Sequence, residues 1–166
     1  MKTLRSVVAS EFKLALEAGV ADREEIVRWA DGILMCEEYD DRVAEISLSA
    51  GKTNKDIEAL LREIATPDDD FSGFRKMLGR MHDALEADQT RLHEFTRFLE
   101  RLWIRHDYTL PDDLGFIIGI EDDYLLAEEG QYGSVDEVRN RLLGDLARFK
   151  QKNTEQGGDG DAEEAI

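Results

Sequence analysis

Few side chains in this sequence could do chemistry: three histidines (His82, His93 and His106), one cysteine (Cys36) and a Gly51-Lys52-Thr53 triplet. The triplet ends as a phosphate-binding loop does. Such a loop needs a glycine five residues earlier, so that backbone amides can cradle phosphate, and a buried strand leading into it. Ile46 stands at that place. His93-Glu94 begins like a zinc-protease helix, whose second histidine one turn later completes the metal's ligands, but that position holds Arg97. A di-iron bundle needs inward-facing Glu-x-x-His pairs, and the residues three before the histidines are Gly79, Thr90 and Trp103. A calcium loop needs alternating oxygen ligands, a central glycine and a closing glutamate. Asp159-Gly160-Asp161 lacks that frame, and Asp68–Asp70, just before a helix start, reads as a capping device. A single cysteine excludes an internal disulfide and any multi-cysteine metal site. No residue pair offers a nucleophile with its base. The sequence therefore predicts no enzyme, no cofactor and no bound metal.

Charge placement carries more. The 166 residues hold 38 Asp plus Glu against 21 Lys plus Arg, a formal charge of −17. A surface this acidic repels phosphate backbones, so nucleic acid is not an expected partner. From Asp107 to Gly133 there are eight acidic residues (Asp107, Asp112, Asp113, Glu121, Asp122, Asp123, Glu128 and Glu129) and no lysine or arginine. The stretch from Arg75 to Arg105 has seven basic residues against five acidic ones. Unevenness of this kind creates a negative face that steers a cationic protein. Tyr124 within the segment adds the amphipathic aromatic common at protein interfaces. Tyr39, Asp40 and Asp41, following Glu37 and Glu38, make a second patch of the same composition. The candidate partner-binding residues are therefore Asp112, Asp113, Glu121, Asp122, Asp123, Tyr124, Glu128 and Glu129, with Tyr39, Asp40 and Asp41.

The elements that must position these residues are helical. Leu4, Val8, Phe12 and Leu16 mark a first helix that Gly19 stops; Asp22 and Glu25 open a second with Ile26, Trp29, Ala30 and Ile33 as its stripe, packed antiparallel to the first. Residues 43–49 fit a short helix or a strand, and with no partner strand elsewhere a helix is favoured. Thr53 or Asn54 caps a helix with Ile57, Leu60, Leu61 and Ile64 inside, ended by Thr66-Pro67. Phe71, Leu78, Leu85, Leu92 and Leu99 then recur every seven residues, with Phe74, Met81, Phe95 and Leu102 at companion positions. This allows one central helix of about 36 residues, ~54 Å long, or two helices broken near Asp88–Thr90. Pro111 opens a region that Gly115 and Gly119 divide, and Ser134 with Glu137 caps a last helix carrying Val135, Val138, Leu142, Leu146 and Phe149. The expected fold is all-α: a single-domain bundle of about six to eight helices over residues 1–150, with one long central helix, straight or kinked. Residues 151–166 have no large apolar side chain before Ile166 and are expected to be a disordered acidic tail.

The stretch Ile26–Ile64, IVRWADGILMCEEYDDRVAEISLSAGKTNKDIEALLREI, resembles segments of small acidic helical bacterial proteins that act as immunity partners of secreted or contact-delivered toxins. The shared features are the RWAD helix from Arg28 to Asp31, the acidic loop and the EISLS run before a capped helix. The resemblance implies a class and not a site: a protein that occludes a cognate toxin. A nuclease toxin needs a basic cleft to hold phosphate, and an acidic inhibitor is its electrostatic complement. The alternative is a structural or regulatory protein that self-associates through the 71–102 seam, so either monomer or homodimer fits. No apolar run approaches the ~18 residues of a membrane span. Met1–Gly19, interrupted by Lys2, Arg5, Glu11, Lys13 and Glu17, does not read as a signal peptide, so a cytoplasmic location without membrane contact is expected.

Overall fold

In a computed structural model describing residues 3–36 and 39–150, α1 (Leu4–Glu17) begins at Thr3. The Thr3 hydroxyl accepts from the Ser6 amide at 3.1 Å, and Ser6 Oγ accepts from the Thr3 amide at 3.0 Å. The helix stops at Gly19, φ +70°, whose amide donates to the Leu16 carbonyl (3.2 Å) while that of Val20 donates to Ala15 (2.8 Å). These are the paired bonds of a left-handed helix stop. Between its caps α1 is apolar on two sides. Leu14, Ala15 and Ala18 enter one core cluster, and Ala9, Phe12 and Leu16 enter another. A helix of that kind belongs inside the fold. Leu4, expected on a buried stripe, lies exposed on the first turn.

The other helices divide between the two clusters. α2 (Arg23–Cys36), α3 (Asp41–Ser47) and α4 (Asn54–Ile64) close over the one holding Phe12. α5 (Ser72–Ala87), α6 (Leu92–Arg105), α7 (Ile120–Glu128) and α8 (Val135–Ala147) close over the one holding Leu14, with short 3-10 turns at Gln89–Arg91 and Asp112–Ile117. The molecule is all-α, and no strand occurs among the described residues. Residues 41–47 are helical, the reading the sequence favoured. Of Thr53 and Asn54, the two candidates for the cap of α4, Thr53 is the cap, with Asp56 reaching back to it, and the cap at Ser134–Glu137 forms as predicted. Glu37, Glu38 and the tail 151–166 lie outside the described residues.

Contacts with α1 hold the two halves together. Gly73 lets α5 start against it: a Cβ there would sit 2.4 Å from Ser10 Cβ and 2.7 Å from the Glu11 amide. Ser10 Oγ bonds to the Thr66 hydroxyl (2.8 Å) and accepts from its amide (2.9 Å), pinning the α4–α5 link across α1. Arg80 on α5 pairs with the buried Glu11 of α1 and, at 2.7 Å, with Glu25 of α2. Arg91 Nη2 donates to the Ala18 and Gly19 carbonyls at 3.3 and 3.1 Å, bringing to the end of α1 the cation its own last turn lacks.

The long central helix does not exist. At Asp88 the backbone turns extended (φ −140°, ψ 95°), and Asp88 Oδ1 accepts from the Thr90 amide at 3.0 Å to cap the next turn. α6 then runs back, so that His106 lies against Phe71 and Phe74 at the start of α5, ring centroids 5.0 and 6.2 Å away. The heptad side chains are nonetheless in one place. Leu78, Leu85, Leu92, Leu99, Phe74, Met81, Phe95 and Leu102 are buried in a single cluster, with Phe71 packed on it. Their spacing records burial in a shared core, and the seam closes within the chain.

Candidate functional site

The acidic segment is built from the 3-10 turn at Asp112–Ile117 and α7, with Gly119 (φ +76°) making the left-handed step between them. Pro111 precedes the turn and supplies the extended entry. α7 carries Glu121, Asp122 and Asp123 in its first turn, where the helix dipole favours negative charge. It packs between α6 and α8. Its inner side is Ile120, Glu121, Tyr124 and Ala127, and its outer side includes Asp122, Leu125, Leu126 and Glu128.

The inward acid is a fastener. Glu121 is 7% exposed; it accepts from the hydroxyl of the fully buried Thr96 and lies 3.1 Å from His93 Nε2. The His93 ring stacks on Tyr124 at 4.4 Å and 18°, and the Tyr124 hydroxyl donates to Glu128 Oε1 at 3.2 Å. Burial, with the Glu128 carboxylate beside it, pushes the Tyr124 phenol above its ordinary value. Thr96, His93 and Glu121 are the residue types of a nucleophile relay, but their geometry differs from one. The Thr96 hydroxyl donates to the carboxylate and to the His93 carbonyl, not to the imidazole. A relay requires the base to face the nucleophile. The arrangement ties α7 to α6.

Two further carboxylates are tied down by cations from distant segments. Arg75 on α5 grips Asp113 through two bonds (2.7 and 3.0 Å), holding that carboxyl below its ordinary value. Arg141 on α8 pairs with Asp123. The stretch that is free of lysine and arginine in sequence is thus partly neutralised in space. Among the described residues no ion pair engages Asp112, Asp122, Glu128 or Glu129. Ile118 and Tyr132 beside them are more than half exposed, and Leu125 and Leu126 more than a third. The outer surface therefore combines unpaired carboxylates with uncovered apolar side chains. Ile118, Leu125 and Leu126 are apolar side chains that the core leaves uncovered.

The second patch is of another kind. Asp40 caps α3, accepting from the Arg42 amide at 2.9 Å, and pairs with Arg42 (2.8 Å) and Arg5 (3.1 Å). The Arg42 hydrogen bonds, assisted by the charge of Arg5, hold its carboxyl at about 2. Tyr39 and Asp41 are exposed. This patch belongs to the half of the core closed by α2, α3 and α4, whereas α7 belongs to the other half. The candidates thus fall into two separate surfaces, and Asp40, Asp113, Glu121 and Asp123 are engaged within the chain.

No helix among the described residues is long and apolar enough to cross a membrane. No protein-family model matches the chain, and neither a curated protein nor a solved structure matches it.

Proposed function

We propose that this chain is a non-catalytic immunity protein that binds and neutralises a cognate basic bacterial toxin, a nuclease by charge complementarity, through the outer face of α7. The observation that carries the reading is the sorting of carboxylates along one helix. Glu121 and Asp123 anchor α7 to α6 and α8, while Asp122, Glu128 and Glu129 face outward without cations. A face fixed from behind loses little freedom on binding, which favours affinity. Its unpaired charge speeds the encounter with a basic partner, and Ile118, Leu125, Leu126 and Tyr132 supply the apolar contact that charge alone does not. The resemblance over Ile26–Ile64 supports the class of partner. Self-association through the 71–102 seam would require its side chains to leave the core.

The test is a charge-neutral variant that leaves the anchors alone: Asp112→Asn, Asp122→Asn, Glu128→Gln and Glu129→Gln together. Association with the toxin domain encoded beside the gene is followed by stopped flow at several salt concentrations. The on-rate should fall by about tenfold or more at low salt and lose most of its salt dependence. An unchanged rate with an unchanged salt slope would eliminate this face.

A further inference from the structure

We propose that His82, Asp83 and Glu86 on α5 form a binding site for a divalent transition-metal ion, zinc by the chemistry of its ligands. The site is separate from the α7 face and does not depend on it. The His82 side chain is nine-tenths buried, so the core fixes its ring, and Nδ1 is turned toward two carboxylates that are two-thirds exposed. Nδ1 lies 3.2 Å from Asp83 Oδ1 and 3.9 Å from Glu86 Oε2, and the three ligand atoms all lie within 4.8 Å of one another. Zinc bonds of about 2.0–2.2 Å in tetrahedral geometry place ligand atoms roughly 3.3–3.6 Å apart. Closing the set takes side-chain shifts of up to about 1.5 Å by the two exposed carboxylates on one helical turn. The carboxylates follow the histidine in sequence, the reverse of the Glu-x-x-His order.

A cation already answers this cluster. Lys150 reaches across from beyond α8, its Nζ 3.4 Å from Asp83 Oδ1, where Gly79 lets the Phe149 carbonyl come close to α5. An entering ion takes the place of the ammonium at Asp83, and a neutral imidazole meets it by carrying its proton on Nε2. One imidazole nitrogen with two carboxylate oxygens suits zinc, whereas magnesium and calcium call for oxygen ligands throughout. Water completes the coordination on the exposed side.

The experiment uses the untagged full chain, stripped with chelator and titrated with zinc by calorimetry, with cobalt as a spectroscopic substitute. One ion per chain is expected, with cobalt giving the intense visible absorption of a tetrahedral site. The double variant Asp83→Asn, Glu86→Gln changes only exposed groups, and it should weaken binding at least tenfold, no less than loss of an outer-shell partner does. Lys150→Ala, which removes the competing ammonium, should tighten it. Absence of saturable 1:1 uptake overturns the proposal, as does uptake indifferent to the double variant. Equal competition by calcium overturns the nitrogen ligand.

Discussion

Replacing Glu121 by alanine separates an anchoring carboxylate from its outward neighbours. The change removes a charge-assisted bond from the Thr96 hydroxyl, and bonds to charged groups contribute about 1.5–3 kcal/mol. Thr96 is not left orphaned, because its hydroxyl also reaches the His93 carbonyl at 3.1 Å, which places the loss toward the lower end. Removing the carboxylate from the first turn of α7 forfeits about 0.3–1 kcal/mol of dipole stabilisation. The higher helix propensity of alanine returns a few tenths. The net is about 2 kcal/mol. With a urea slope of about 2 kcal/mol/M, the unfolding midpoint moves down by about 1 M. Asp122→Ala, on the same turn but facing outward, serves as the control and should stay within about 0.5 kcal/mol of the parent. Equal midpoint shifts in the two variants would refute the division of α7 into an anchoring side and a free side.

The remaining predictions concern packing and pH. Gly73→Ala should destabilise by about 1–3 kcal/mol despite its helix propensity, because its Cβ meets Ser10 and the Glu11 backbone on α1. The same change at Gly32, with nothing within 4 Å, should stabilise by up to about 1 kcal/mol in urea unfolding; two changes of the same sign would contradict the α1–α5 contact. Burial pushes the His106 imidazole below its ordinary 6.5, against the pull of Asp68. The unfolded chain then takes up this proton first, so stability is lost as pH falls from about 6.5 toward the lower folded value. His106→Phe, which keeps a ring against Phe71 and Phe74, should flatten the fall in melting temperature between pH 7 and 5.5; an identical slope would exclude His106 as its source.

How much was legible in the sequence follows from how local each signal is. Gly19, Thr53, and Ser134 with Glu137 act within a few residues of themselves, and the helix ends they announce are where they should be. The heptad from Phe71 to Leu102 identified core side chains correctly but not the path between them. Leu85 and Leu92 stay seven apart whether the chain runs straight or turns at Asp88. The acidic segment was harder because the groups that engage it come from far away: Arg75 lies 38 residues before Asp113, His93 28 before Glu121, and Arg141 18 after Asp123. A local count of charges cannot register partners that only folding brings in.

The position of α1 between two core clusters also bears on the order in which the protein is made. This segment leaves the ribosome before the helices that cover it, with apolar side chains on both flanks. Once α4 has emerged, Ala9, Phe12 and Leu16 have their cover. Leu14, Ala15 and Ala18 wait for α5 and the helices after it. A nascent chain that has emerged only as far as Pro67 therefore presents one uncovered helix flank to chaperones, and emergence of the second half removes that binding site.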